Sequence, residues 1–438
     1  MSFSYLSAMI NYDLIIVGAG ASGLLAAGFA AESGLKVLLL DKMSQTGRKL
    51  SITGKGRCNL TNETELQDFI DQVNPDGRFL QSTFSRFYNH ELIELLNRIG
   101  IQTKLERGGR YFPANDSAPD VTRKLKEWCE RNNVAFIMNF RVNRIITRKT
   151  FKNGSEVLNV KGVQGTIPGE SKSLIADRVL ICTGGLSYPA TGSDGDGHRM
   201  VKQIGHSVSH CLPSLVPLEI DRKLIRQLTG LELRNVRADV KERGKVLASE
   251  FGELSFINTG LSGPIILTLS RIVVPLLHQQ RSICIVIDFK PALDSEKLDK
   301  RLIRDFTDRG KEPISSILRG LMPKKLVPVC LEQTRIPSDL MGALVSAKQR
   351  KKLLEFLKGF SIKLNGYRPF SEAIVTIGGV SVDEIHQKTM ESKLVSGLYM
   401  AGELLDLDGP TGGFNLQIAF STAWAAADTV IKEVKNHP

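Results

Sequence analysis

The string Gly18-Ala19-Gly20-Ala21-Ser22-Gly23 constrains this chain more than any other feature. It joins the apolar run Tyr12–Val17 to the Ala- and Leu-rich stretch Ser22–Ser33, which Gly34 ends. A second apolar run, Lys36–Leu40, closes on an acid, Asp41, about 20 residues beyond the glycines. Buried strand, glycine turn, helix and second strand with a terminal acid make a βαβ unit. Each glycine has its own reason to be there. Gly18 permits a tight turn, Gly20 lets the backbone approach a diphosphate, and Gly23 lets helix and strand pack closely. The helix N-terminus turns N–H groups and a partial positive charge toward that diphosphate. Asp41 is placed to accept bonds from both ribose hydroxyls and disfavours a 2′-phosphate, so the unit predicts FAD or NAD, not NADP. A glycine turn without a ligand is the alternative, and the strand, helix and acid around the motif argue against it.

The chain has 438 residues, too many for one compact core, which predicts two or three domains. The run Leu14–Ala31 is apolar enough to suggest a membrane span, but Gly18, Gly20, Gly23 and Gly28 interrupt it. No cationic segment precedes it, so no secretory signal is expected, and the residues before Met9 read as a loose extension. Six scattered cysteines without a C-x-x-C pair predict a reducing, cytoplasmic setting and no membrane association. The formal charge is +12, and the segment Arg281–Arg368 holds 19 basic against 10 acidic residues. An anionic partner (a nicotinamide dinucleotide, an acidic substrate or RNA) and a solvated basic helical face both account for the excess. The lack of interleaved aromatics argues against nucleic acid.

Further along, His90–Ile99 and Asp120–Asn132 pattern as amphipathic helices, and Val134–Ile146 and Arg178–Cys182 as strands. Gly47–Asn62 reads as an ordered loop, and Asp194–Gly205 begins a helix. Beyond about Val208 alternation suggests a β-rich domain, and from Asp294 to about Phe360 the pattern is helical and basic. Strand and glycine signals return after Tyr367. The fold predicted is α/β, a dinucleotide-binding domain in two pieces, 9–206 and 367–438. A β-rich domain (207–293) and a basic helical segment (294–366) are inserted between them.

Three strings carry a resemblance. The first is Thr46-Gly47-Arg48-Lys49-Leu50-Ser51-Ile52-Thr53-Gly54-Lys55-Gly56-Arg57-Cys58-Asn59-Leu60-Thr61-Asn62. The second runs from Cys182-Thr183-Gly184-Gly185 through Ser187-Tyr188-Pro189 and Thr191-Gly192-Ser193 to Gly195-Asp196-Gly197. The third includes Gly397-Leu398-Tyr399-Met400-Ala401-Gly402-Glu403 and Gly412-Gly413-Phe414-Asn415-Leu416-Gln417. Together they resemble the YhiN/BaiN-like bacterial flavoproteins over nearly the whole chain from Tyr12. The resemblance implies FAD in a glutathione-reductase-type Rossmann domain. It implies that Arg48 and Lys49 face the adenosine or phosphates, and that Val142 meets the adenine edge. Thr183, Gly184 and Gly185 would pass close to the cofactor. Glu403, after Gly402, would take a ribityl or ribose hydroxyl, or instead cap the helix beginning nearby. Gly413, Phe414, Asn415 and Leu416 would open the last helix near the flavin's pyrimidine carbonyl. With Gly18, Ala19, Gly20, Ser22, Gly23, Asp41, Lys42 and Gly56, these form the candidate cofactor set.

The implied activity is hydride transfer through flavin N5, with NAD(P)H as donor and an activated C=C of a small molecule as acceptor. An oxygen-using amine oxidase, an RNA-modifying flavoenzyme and a non-enzymatic FAD-binding protein are the alternatives. No residue stands out as catalytic acid or base. Arg57 and Cys58 read either as a reactive thiol beside a cation or as a loop anchor and a buried filler. The pair Asp406 and Asp408 lacks a third ligand for a metal, and His198, His206 and His210 read as satisfied or surface histidines.

Overall fold

The computed structural model describes residues 12–152, 155–167 and 169–436. The extension before Met9 lies outside them. Two compact units emerge: the described residues from 12 to 213 together with those from 374 to 436, and residues 214–373.

The first unit opens with β1 (Leu14–Val17), α1 (Ala21–Glu32) and β2 (Val37–Leu40). Both strands are buried along their whole length, as expected of parallel strands covered on both faces. Nine of the twelve α1 residues are buried, so this helix has no polar face. On one side it packs against α2 (Ala118–Arg131). An added Cβ at Gly28 would stand 2.3 Å from Trp128, so glycine lets the indole lie flat on α1. Next come β3 (Ala135–Ile137) and a long antiparallel meander, β4 (Arg141–Lys152), β5 (Ser155–Ile167) and β6 (Glu170–Ile175). Then follow β7 (Val179–Ile181) and the short α3 (Asp196–Lys202).

The second unit is a closed six-stranded barrel with helices. Its elements are β8 (Leu218–Ile220), α4 (Arg222–Leu228), β9 (Glu232–Glu242), β10 (Lys245–Ile257), β11 (Gly260–Ser262), α5 (Pro264–His278) and β12 (Cys284–Asp288). After them come α6 (Ser295–Asp308), α7 (Leu326–Thr334), α8 (Ala347–Gly359) and β13 (Phe360–Tyr367). Around the barrel the order is β8-β11-β10-β9-β12-β13, with β13 pairing back to β8. The segments read separately as β-rich and helical thus share one compact unit, because β13, beyond the helices, supplies the closing strand. The stretch read as β-rich also contains the helix α5. Its buried residues Ile265, Ile266, Leu269, Ser270, Val273 and Val274 recur at helical spacing, and Pro264 opens the first turn.

The chain re-enters the first unit, forms β14 (Leu398–Met400) and ends in α9 (Phe414–Asn436). The completed sheet is parallel throughout, in the order β14-β7-β1-β2-β3. The helix α9 lies against α1. Three strands of this sheet therefore end side by side at Gly18, Asp41 and Cys182, which is where open parallel sheets place their ligands.

Candidate functional site

A cleft opens at those carboxyl ends. With its open mouth counted, it encloses about 1320 Å³ of non-atom space. Of the candidate set, Gly18, Ala19, Gly20, Ser22, Asp41, Lys42, Arg48, Lys49, Val142, Thr183, Gly184, Glu403, Asn415 and Leu416 line it.

The glycine turn is built by backbone. Gly18 N–H donates to Leu40 O (2.8 Å) and Ala19 O accepts from Gly47 N–H (2.7 Å). A Cβ at Gly23 would fall 1.8 Å from Gly18 O, so helix and turn touch there. A Cβ at Gly20 would meet nothing within 4 Å. Gly20 caps α1 without a side-chain bond, and no acid sits in the first turn. The positive end of a 12-residue helix therefore faces the cleft with no acid of its own first turn to offset it. Asp41 accepts Ala19 N–H on Oδ2 and Met43 N–H on Oδ1, both at 2.7 Å. Burial pushes its carboxyl above the usual range, against those two bonds and the nearby Lys42 and Arg48. Each oxygen keeps acceptor capacity for a ligand. The Thr183 hydroxyl, also on the cleft, is buried without a hydrogen-bond partner. These features fit a dinucleotide: uncapped donors, an acid beside the turn, and an open Cβ position at Gly20.

The basic pair divides. Arg48 is exposed on the rim, whereas Lys49 reaches across to the residue after Gly402. Lys49 Nζ contacts Glu403 Oε2 at 2.5 Å and also bonds Ser187 Oγ. Glu403 Oε1 accepts from Ser187 Oγ (2.6 Å) and Thr376 N–H (2.9 Å). Lys42 binds Asp194 (2.5 Å) and Asp196 (2.7 Å) through Nζ, inside a cluster with Arg141 and Arg199. Asn415 pins the loop before α9, donating to Gly409 O and accepting from Gly409 N–H.

The other candidates do not line the cleft. Gly23 serves packing, and Gly185 leaves room for Thr376, whose Oγ1 would be 2.5 Å from a Cβ. Gly402 lies against Ser22, and Gly413 against Thr61 O. Phe414 turns into the core and stacks on Phe69, ring centroids 4.3 Å apart. Gly56 sits in the turn after Thr53, its N–H donating to Ile52 O and Thr53 O. Phe140, Met200 and Leu407 line the cleft and were not singled out; each looks in sequence like any core residue.

Arg57 pairs with Asp116 and Glu106 and covers the Phe112 ring at 4.2 Å. Cys58 is fully buried, and burial raises its thiol to about 12. That is the anchored loop, not a reactive thiolate. Asp406 accepts from Ser209 Oγ, His198 Nε2 meets Leu404 O, and His206 stands between Glu384 and Ser392. Among the described residues no three His, Cys, Asp or Glu groups are placed to hold a metal ion, and no helix is long and apolar enough to cross a membrane.

A profile described as "HI0933-like protein Rossmann domain" matches residues 12–429. The chain belongs to the HI0933-like family. This is the family whose strings were recognised above, and its members, this HI0933-like chain included, are FAD-dependent oxidoreductases of Rossmann fold. A 3-dehydro-bile acid delta(4,6)-reductase of Clostridium scindens is 31% identical over 94% of this chain and 97% of its own. A ribosomal RNA dihydrouridine synthase of Escherichia coli is 32% identical over 97% of this chain and 99% of its own. Among solved structures, a 3-ketosteroid delta1-dehydrogenase from Sterolibacterium denitrificans superposes with a TM-score of 0.53 at 13% identity, covering 97% of this chain and all of that one. At that identity the likeness speaks for the HI0933-like fold alone.

Proposed function

We propose that this protein reduces a C=C bond conjugated to a carbonyl, with NAD(P)H as electron donor. One observation carries the reading. Two relatives that span almost the whole chain are named for activities of one chemical kind, saturation of a ring C=C activated by a carbonyl. Bound FAD would supply the hydride relay through its N5.

The chain's own residues would do the rest. The α1 N-terminus at Gly20–Ser22 would hold the diphosphate, and Asp41 the adenosine ribose. Glu403, fixed by Lys49, Ser187 and Thr376, offers its remaining acceptor capacity to a ribityl hydroxyl. The 23-residue α9 begins at Phe414–Leu416 and turns its positive end to the cleft, where it favours negative charge. Phe140, Met200 and Leu407 exclude water from the walls.

For the substrate, the first reading is a small apolar enone. Uridine in RNA is the second, and it is favoured by the +12 charge together with the Escherichia coli relative. The missing aromatics weigh against base stacking but not against phosphate binding.

The test is anaerobic visible spectroscopy. Purified protein should be yellow and bleach on adding NADPH or NADH. An enone of 3-oxo-Δ4 type, or ribosomal RNA lacking dihydrouridine, should then restore the colour with formation of the saturated product. A flavin that neither nicotinamide bleaches removes the donor. A reduced flavin whose colour neither acceptor restores removes the reaction, and bleaching by an amine with no nicotinamide present marks an amine oxidase instead.

A further inference from the structure

In the barrel unit, two helices far apart in sequence bring basic residues together. Arg222 and Arg226 lie four apart on α4 and share a face, both exposed. Lys223 pairs with Glu332 on α7, and Gln227 Nε2 donates to the same carboxylate at 3.1 Å. At the other end, Lys325 Nζ donates to Thr229 O at 2.8 Å, where α4 stops. Lys324 precedes it, and Arg335 caps α7 three residues beyond Glu332. Six exposed cations thus surround one junction: Arg222, Lys223, Arg226, Lys324, Lys325 and Arg335. The acids there are Asp221, Glu232 and Glu332, and two are already engaged, Asp221 capping α4 and Glu332 bonding Lys223 and Gln227. Arg222, Arg226, Lys324 and Arg335 have no acidic partner among the described residues. No aromatic residue lies in α4, in α7 or in the turn Thr229-Gly230.

We infer that this α4–α7 face is a docking surface for the phosphate backbone of RNA. The identity of the partner rests on the RNA reading above. Spread, exposed Arg and Lys without stacking rings suit phosphates and position a strand without reading its bases. A surface that stood for solubility alone would carry interspersed acids, as α6 does, where Glu296 pairs with Lys300 and Asp305 lies beside Arg301 and Arg304.

The experiment is filter binding of the FAD-loaded protein to deproteinised ribosomal RNA over a salt series. The variant carries Arg222→Gln, Arg226→Gln and Lys324→Gln together; a control carries Lys149→Gln and Lys432→Gln, exposed cations of the other unit. Each lost phosphate contact removes roughly 0.7–0.9 from the slope of log K against log salt. Three should flatten it by about 2–3 and weaken binding at least tenfold near physiological salt, while the control binds like the parent. Nicotinamide-driven bleaching and FAD content should be unchanged in the variant, which shows that it folds. An unchanged slope in the triple variant overturns the surface. So does equal, equally variant-sensitive binding to polyglutamate or to phosphatidylserine vesicles, since the face would then take any anion. If RNA binding depends on this face but no C=C of RNA is reduced, the docking surface stands and the uridine reading falls.

Discussion

The role given to the α1 N-terminus can be tested at Gly20 without disturbing the fold. Gly20 is the N-cap of α1, with φ −85° and ψ −163°, and a Cβ there has open space. Serine suits such a position, because its Oγ accepts an N–H two or three residues on. Gly20→Ser should therefore stabilise the cofactor-free protein slightly, by roughly 0.3 kcal/mol. On a unit of this size that raises the melting temperature by about 1 °C. The same Oγ would occupy an N–H aimed at the diphosphate and stand in its space. Losing one charge-assisted bond costs roughly 1.5–3 kcal/mol, about 10- to 150-fold in Kd. FAD titrations followed by flavin fluorescence, with melts of the FAD-free protein, measure both quantities. The two should move in opposite directions. A Gly20→Ser protein that binds FAD as tightly as the parent refutes the diphosphate site, and one whose FAD-free melt drops by several degrees refutes the open N-cap.

Other outcomes follow from neighbouring contacts. Gly23→Ala drives a Cβ to 1.8 Å from Gly18 O, so overpacking of about 3 kcal/mol or more should leave the first unit protease-sensitive even with FAD present. Lys49→Met leaves a partly buried Glu403 with neutral donors only; a loss of about 1–2 kcal/mol after allowing for solvent is expected, and adding Glu403→Gln should recover part of it in a double-mutant cycle. Burial holds the imidazoles of His198 and His206 below their usual pKa. The unfolded chain then takes the proton first, so stability is full above about pH 6.5 and declines as pH falls through that value toward the folded pKa, by up to about 1.4 kcal/mol per pH unit per group. Urea melts between pH 8 and 5 should show that decline, and a flat profile would exclude neutral histidines in the fold. Thiol labelling of the native protein should spare Cys58, Cys129, Cys182 and Cys330, all buried with raised pKa, and reach Cys284 first.

What the sequence determined by itself is local. A strand, a glycine turn and a helix are set by neighbours a few residues apart, so β1, α1, β2 and the acid after β2 could be read from spacing alone. The strings around Gly47, Gly184 and Gly413 also stood out, since glycine at turns and close approaches has few substitutes. Tertiary structure decided the rest, wherever a side chain's partner lies far along the chain. Lys49 and Arg48 are adjacent and both basic, yet only Lys49 finds Glu403, 354 residues away. Phe414 opens the helix that faces the cleft, but Phe69 draws it into the core. The barrel could not be seen as one unit until β13, beyond the helical segment, paired with β12 and β8. Strand pairing across a long insertion leaves no period in the sequence; it is fixed only when the buried faces meet.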